Sequence, residues 1–349
     1  MKFGIIITSY NDEKTLENAI QSVARFKKKN IYIAIVDDCS TDSTINILKH
    51  AKKNNLINIF HINKKNLGAA SSRNIGINLC KNSDYITFLD ADDIILPNFF
   101  NIINKTQLRG DLIAFNFKYS LKEKISPGQN FYKIDRKLEV KDIKEYFLKY
   151  LIKPNKYSLF TTCWAKLYKT KILLLNKDLY FNEKMLICED TDFVFRFLAK
   201  AKKINYINKS IYLHKLGTNE ENLNKLTFGV NLNNSHQISF LRVVESCTNY
   251  FIKNGHTLAE LQPKIDHCIG CYIIIYIIRS CLKINSIPSF KLNYLFWKNF
   301  FTKNVAAHLM NNYSHTLAGG GWLLPFLIRK KMFFFVIFFA YLIARKRYL

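Results

Sequence analysis

The chain has 349 residues, enough for one large domain with an appendage or for two domains. Hydrophobic residues make up 49% and charged residues 22%, which excludes global disorder, while 12 Gly and 6 Pro exclude a collagen-like or low-complexity chain. A net charge of +26 is more than a small neutral substrate needs and points to a polyanionic partner: nucleic acid, an anionic membrane or phosphorylated substrates.

The first elements alternate regularly. Phe3–Thr8 is a short apolar run that predicts a buried strand, and Leu16, Ala19, Ile20 and Val23 give residues 13–26 a helical spacing. The same reading gives strands at 31–36, 57–62 and 85–89, helices at 43–53 and 69–80, and a further strand at 111–119. Strand–helix alternation with short connections implies an α/β fold with a parallel sheet and helices on both faces. Ligands then sit beyond the carboxyl ends of the strands. Residues 122–156 are polar, lower in order, and contain the turn signal Ser126-Pro127-Gly128. Short elements resume from Tyr157 to Leu213. Beyond Gly217 the pattern becomes helical, over 230–251, 258–282 and 294–310. The division expected is a catalytic domain over 1–216, a helical region over 217–321 and a basic tail over 322–349.

From His267 to Leu349 there are eleven Lys and Arg and no Asp or Glu. A basic, aromatic, acid-free segment suits an anionic membrane surface; the same residues also suit a basic helical subdomain with an ordinary core. Met332–Ala344 carries no charge, but thirteen helical residues reach only about 20 Å against a hydrocarbon core of about 30 Å. Extending back to Trp322 centres Arg329-Lys330-Lys331. Three central charges cost roughly 8–10 kcal/mol, and the Leu, Ile, Phe and Val residues return about 6. The tail is therefore expected to lie at an interface and not to cross it. Of eight cysteines only Cys268 and Cys271 form a close pair. With no second pair nearby they read as buried free thiols, not zinc ligands, and the absence of a leader pattern suggests a reducing cytoplasm.

The chemistry concentrates at strand ends. The second strand ends in Asp37-Asp38, which can accept a uracil imide N–H or a ribose hydroxyl, or can cap the next helix with Ser40 to Ser43. The fourth ends Asp90-Ala91-Asp92-Asp93. Three carboxylates in four residues repel one another unless a cation such as Mg²⁺ or Mn²⁺ relieves them. Arg73, on the small-residue helix after Asn66-Leu67-Gly68, suits a phosphate or a surface ion pair. That segment is neither Gly-x-Gly-x-x-Gly nor a Walker loop, which argues against NAD and ATP hydrolysis. Glu189-Asp190 begin a helix, where acids suit the dipole; a carboxylate there can also act as general base toward a sugar hydroxyl.

Taken in order, Thr8-Ser9-Tyr10-Asn11, Val36-Asp37-Asp38-Cys39-Ser40-Thr41-Asp42, Asn66-Leu67-Gly68 with Arg73-Asn74-Ile75-Gly76, Phe88-Leu89-Asp90-Ala91-Asp92-Asp93 and Glu189-Asp190 with Phe193 and Arg196 resemble glycosyltransferase family 2, inverting nucleotide-sugar transferases of the GT-A fold. The resemblance covers residues 1–215. Cys163-Trp164-Ala165-Lys166-Leu167 and Tyr212-Leu213-His214 are similar to segments of bacterial transferases that build lipopolysaccharide, lipooligosaccharide or capsule glycans. The resemblance implies that Thr8, Tyr10, Asp38 and Arg73 hold the nucleotide, with Asp38 at the uracil edge. It implies that Asp90 and Asp92, with Asp93 in the same motif, bind Mn²⁺ or Mg²⁺, and that Asp190 is the catalytic base. Glu189 before it would bind acceptor or orient the site, Trp164 and Lys166 would line the acceptor pocket unless Trp164 is plain core, and His214 would reach the metal or diphosphate unless it is structural. The implied partners are a UDP-sugar donor, a saccharide or lipid-linked saccharide acceptor and an anionic membrane surface at the inner face of a bacterial inner membrane. Two other readings stay open at this point. One is a polyprenyl-phosphate sugar transferase. The other, a nucleic-acid-binding protein, is opposed by the absence of an RRM, KH or helix-turn-helix pattern.

Overall fold

The computed structural model describes the whole chain except residues 28–29, 106–109, 122–123, 129–130, 155, 158, 186, 217–233, 304–309 and 349. It divides into two compact units. Unit 1 comprises Met1–Lys141, Leu159–Lys184 and Glu189–Leu216; unit 2 comprises Asp142–Ser158, Met185–Cys188 and Gly217–Leu349. A tail over 322–349 is not a separate body, because it belongs to unit 2.

Unit 1 is built on a ten-stranded sheet. Its first half follows the alternation of the sequence: β1 (Phe3–Ser9), α1 (Leu16–Ala24), β2 (Ile31–Asp37), α2 (Thr44–Lys53), β3 (Ile59–Ile62), α3 (Ala69–Leu79) and β4 (Tyr85–Asp90). Here β3, β2, β1 and β4 lie side by side and parallel. β1 is central, and Ile5, Ile6 and Ile7 are fully buried, which explains a continuous apolar run where a one-sided strand would alternate. α3 packs directly on this strand: a Cβ at Gly76 would fall 2.2 Å from Ile6 Cγ2, so only glycine allows the approach.

The second half departs from the expected all-parallel sheet. It contains β5 (Ile94–Ile95), α4 (Phe99–Lys105), β6 (Leu112–Leu121), β7 (Lys124–Pro127), β8 (Arg136–Leu138), β9 (Lys166–Lys169), α6 (Thr170–Leu175), α7 (Glu189–Lys200) and β10 (Ile204–Leu216); between β8 and β9 the chain forms α5 (Val140–Ile152), which from Asp142 on belongs to unit 2. β9 inserts antiparallel between β4 and β6; β5, β7 and β8 also pair antiparallel, and only β6 and β10 run parallel. The sheet is therefore mixed, because after β4 the chain returns through short strands without crossover helices. The stretch expected to be lower in order holds β7, β8 and α5. In α5 the buried residues Ile143, Tyr146, Phe147, Tyr150 and Leu151 follow helical spacing, which intervening lysines dilute in the sequence.

Most of unit 2 is helical: α8 (Asn234–Lys253), α9 (Leu258–Ser280), α10 (Ile287–Lys303), α11 (His315–Ala318), α12 (Leu323–Arg329) and α13 (Phe333–Tyr348). The expected helix over 294–310 starts earlier, at Ile287, and its last residues lie outside the described ones, as does the boundary at Gly217. Thr257 caps α9 through a reciprocal bond with Glu260. Among the described residues, Leu258–Lys283 is the one helix long and apolar enough to cross a membrane, but 72% of its apolar window is buried within the protein. It is a core helix: Tyr276, Ile277 and Cys281 pack with Trp297, Phe301, Leu324, Val336 and Ile337. All eight cysteines are free, and Cys268 and Cys271 are buried on α9.

Candidate active site

The site lies at the carboxyl edge of β2, β1 and β4 and takes further residues from α3, the segment before β9, the start of α7 and β10. Thr8, half-buried, stands opposite Asp90 in the β1–β4 register. Tyr10 follows at the end of β1 and is 49% exposed. The turn that follows is left-handed at Asn11, whose side chain accepts the Thr41 N–H at 2.8 Å; its own N–H donates to Ser40 Oγ at 2.8 Å. Asp37 in turn accepts from Ser40 N and Oγ, so these polar residues lock the two strand ends together.

Asp38 has a different role from the one expected. It is 4% exposed, and its carboxylate accepts from Asn63 Nδ2 at 2.7 Å, Leu67 N at 2.9 Å and Gly68 N at 2.7 Å. Both oxygens are engaged by the chain itself, so Asp38 clamps the loop that opens α3 and does not present itself to a uracil. Gly68 sits at φ +87°, a conformation that favours glycine.

Arg73 is the centre of the site. Its guanidinium is buried, 5.4 Å from the Phe181 ring centroid, and faces three carboxylates: Asp90 Oδ1 at 3.1 Å, Glu189 Oε1 at 2.7 Å and Asp190 Oδ1 at 2.8 Å. The Asp190 contact is an ion pair without hydrogen-bond alignment, since that oxygen has no aligned donor; Asp190 Oδ2 accepts the Cys163 N–H at 3.2 Å. Burial alone would lower the arginine's pKa, but Asp190, Asp90 and Glu189 outweigh it and hold the proton more tightly than usual. One cation does not neutralise the acids. Burial, with Asp93, Asp190 and Asp92 acting in the same direction, pushes Asp90 up to about 7 despite Arg73. Burial and Asp190 likewise raise Glu189. Glu189, expected to bind acceptor or to orient the site, bonds Arg73. Its neighbour on α3, Asn74, fastens the opposite wall: it donates to Phe181 O and Glu183 Oε1, each at 3.0 Å, and accepts Phe181 N at 2.8 Å.

The other acids divide. Asp92 is half-buried beside Asp90. Asp93 is 1% exposed and accepts Tyr212 Oη at 2.7 Å, His214 Nδ1 at 3.0 Å and Lys215 N at 2.7 Å. That carboxylate is consumed by β10, so Asp93 positions His214 and is not a metal ligand. Burial lowers the pKa of His214, but the bond and charge of Asp93 prevail and raise it.

Trp164 and Lys166 are both buried. Trp164 is 6% exposed and stacks on Tyr212, with centroids 4.6 Å apart, and on His214 at 5.4 Å; it is core that orients the histidine, not a sugar platform. Lys166 is 2% exposed, with Nζ bonded to Trp164 O at 3.1 Å and Thr162 Oγ1 at 3.4 Å, and cannot reach an acceptor. Tyr212, which links Asp93 to the Asp90 N–H, has no sequence signal beyond its place two residues before His214.

Among the described residues no three His, Cys, Asp or Glu side chains can hold a metal ion unaided. The donor chemistry nevertheless fits a hard divalent cation: Asp90 and Asp92 supply oxygens, and the acid cluster exceeds its single arginine. Such ions usually complete their shell with water and substrate phosphates.

Residues 4–167 match the glycosyl transferase family 2 model. The chain carries a family 2 glycosyltransferase domain. It is 28% identical over 229 residues to glycosyltransferase GlyA of Streptococcus pneumoniae, covering 62% of this chain and 30% of GlyA. It is 26% identical over 221 residues to the poly(ribitol-phosphate) beta-N-acetylglucosaminyltransferase TarS of Staphylococcus aureus, covering 61% of this chain and 35% of TarS. The matched stretch is thus about a third of each relative. The structure of S. aureus TarS 1–349 in complex with UDP-GlcNAc superposes with a TM-score of 0.65 at 18% identity, over 99% of this chain and 92% of that one, which identifies the GT-A fold. The family match ends before Glu189.

Proposed function

We propose that the protein is an inverting glycosyltransferase that moves a sugar from a UDP-sugar to a saccharide acceptor in bacterial surface-glycan synthesis, on the inner face of the inner membrane. The observation that carries this is the meeting of Asp90, Glu189 and Asp190 on Arg73, which draws together strand-end and helix-start acids about a hundred residues apart in the chain. The UDP-GlcNAc bound to TarS, which shares the fold, supports the choice of donor class.

Thr8 and Tyr10 would flank the base, with the half-exposed tyrosine ring available for stacking. Asp38 shapes the nucleotide side through Leu67 and Gly68. Arg73 would attract the diphosphate. Asp90 and Asp92 would hold Mn²⁺ or Mg²⁺, which when bound stabilises charge on the leaving nucleotide. Asp190 is the base. Its Oδ1 lies 2.8 Å from Arg73, and the Cys163 N–H fixes Oδ2. It takes the proton of the acceptor hydroxyl as that oxygen attacks the anomeric carbon. The bond to UDP breaks with its electron pair leaving on the phosphate oxygen. A single displacement inverts the anomeric centre, so an α-linked donor gives a β-linkage.

The test is UDP release from a panel of UDP-sugars, with Asp190→Asn as the decisive variant. We expect the variant to lose at least roughly 1000-fold in turnover while keeping UDP affinity, since general-base catalysis contributes about 10²–10⁴. Wild-type turnover in Asp190→Asn, or no release from any donor, would refute the assignment.

A further inference from the structure

Helix α13, in unit 2, is apolar on two opposite sides, and the protein covers only one. At about 100° per residue, Phe333, Val336, Ile337, Ala340 and Ala344 form one stripe, and all are buried. Phe334, Phe335, Phe338 and Leu342 form a second stripe on the other side, exposed by 53%, 44%, 42% and 46%. A helix that is apolar all round belongs inside a core or in lipid. This one has its core on one side, where Phe333 stacks on Phe301 with centroids 5.6 Å apart.

Charge selects the occupant of the other side. Exposed Lys330 and Lys331 precede the helix, and Arg345 and Lys346 follow Leu342 on the same side. No acid occurs anywhere from His267 to the last residue. A second copy would set these cations against themselves across a two-fold axis, where like charges repel. A uniformly anionic sheet matches them. Sixteen helical residues extend only about 24 Å, short of the roughly 30 Å hydrocarbon core, so the helix lies along the surface.

We propose that the Phe334–Leu342 stripe of α13 docks the protein on an anionic lipid bilayer, its rings entering the headgroup–acyl boundary while the flanking lysines and arginine meet the headgroups. This deepens the transferase reading and rests on it for the membrane-side acceptor, though not for the geometry.

Deleting residues 322–349 is unsuitable as a test, because Leu324, Leu327, Ile328, Val336 and Ile337 belong to the core of unit 2. The test uses the full chain and the triple variant F335S/F338S/L342S, which leaves the buried stripe intact. Partition is measured by co-sedimentation with vesicles of phosphatidylcholine alone and with phosphatidylglycerol added. We expect the wild type to bind the anionic vesicles and the variant to bind them at least tenfold less. We expect K330E/K331E to reduce binding to the level on neutral vesicles; it also serves if the triple variant does not fold. Wild-type binding by both variants, or no preference of the wild type for anionic vesicles, would overturn the proposal. So would a wild-type dimer in ultracentrifugation that ignores vesicles and is lost in the triple variant, which would assign the stripe to a second copy. UDP release is read in parallel: vesicle binding without UDP release sinks the transferase reading alone, and UDP release without vesicle binding sinks the docking face alone.

Discussion

The carboxyl ends of β2 and β4 flank β1 in one sheet, roughly 10 Å apart at two strand spacings, and both end in acids. They use those acids in opposite ways. At β2 the chain supplies enough donors of its own: Ser40 for Asp37, and Asn63, Leu67 and Gly68 for Asp38. At β4 Asp93 is served in that manner, by Tyr212, His214 and Lys215. Asp90 shares a single arginine with Glu189 and Asp190, and its carboxyl stays high, at about 7, because burial and neighbouring acids outweigh that cation. A strand-end carboxylate therefore becomes a ligand-binding group where the fold leaves it short of donors. The pairing Asp-Asp at β2 and the triple at β4 look alike in sequence, and local donor supply separates them.

The comparison is most sharply tested by removing the one cation. Arg73→Gln should destabilise the ligand-free protein by about 3–5 kcal/mol at pH 8, the usual cost of stripping one partner from a buried ion pair. The loss should shrink toward pH 5, where Asp90, raised to about 7, takes up a proton and stops repelling its neighbours. Urea unfolding at the two pH values measures this. An unchanged midpoint at pH 8 would mean that the acids need no internal counter-charge, and the contrast between β2 and β4 would vanish. Arg73→Lys should recover only part, since one ammonium cannot reproduce the guanidinium fork.

At β2 the effect should be smaller. Asp38→Asn turns one acceptor into a donor facing Asn63, Leu67 or Gly68, so a buried N–H loses its partner at about 1–3 kcal/mol. UDP affinity should weaken with it, because the loop before α3 loosens. Calorimetry with UDP gives the binding part. A variant with intact stability and weakened UDP binding would restore Asp38 as a direct nucleotide contact.

How far the sequence reveals this can be argued residue by residue. β1 to β4 are legible because buried parallel strands are continuous apolar runs and the intervening helices keep strict spacing. The antiparallel insertion of β9 is not, since Lys166–Lys169 is four residues without alternation, and pairing partners are set by tertiary geometry. Arg73 and Asp190 could be named from motifs, but their contact bridges 117 positions, and nothing in either segment encodes it. Asp93 shows the limit most clearly. In sequence it is equivalent to Asp90 and Asp92, and only its register against Tyr212 and His214 turns it inward. Trp164 is similar: sequence leaves a sugar platform and plain core both open, and only the stack on Tyr212 separates them.

Lys166 extends the comparison to a buried cation with no aligned acid. Burial lowers its pKa to about 7, against weaker upward pulls from Cys163 and Asp190. Between pH 7 and the ordinary value of 10.5, the unfolded lysine keeps a proton that the folded one has shed. The unfolded chain binds more protons in that window, so stability rises with pH there, by at most about 1.4 kcal/mol per pH unit. Below about 7 both states are protonated and the cost of burying the ammonium stands in full. Lys166→Met removes this linkage while keeping the volume. The stability gained by the variant over wild type should therefore be flat below pH 7 and should fall steadily toward pH 10, as read from urea midpoints. Parallel curves would show that Lys166 keeps its proton in the folded state. Asp190, its nearest acid, would then compensate it, and the arginine at the centre of the site would no longer be the only cation to which the base answers.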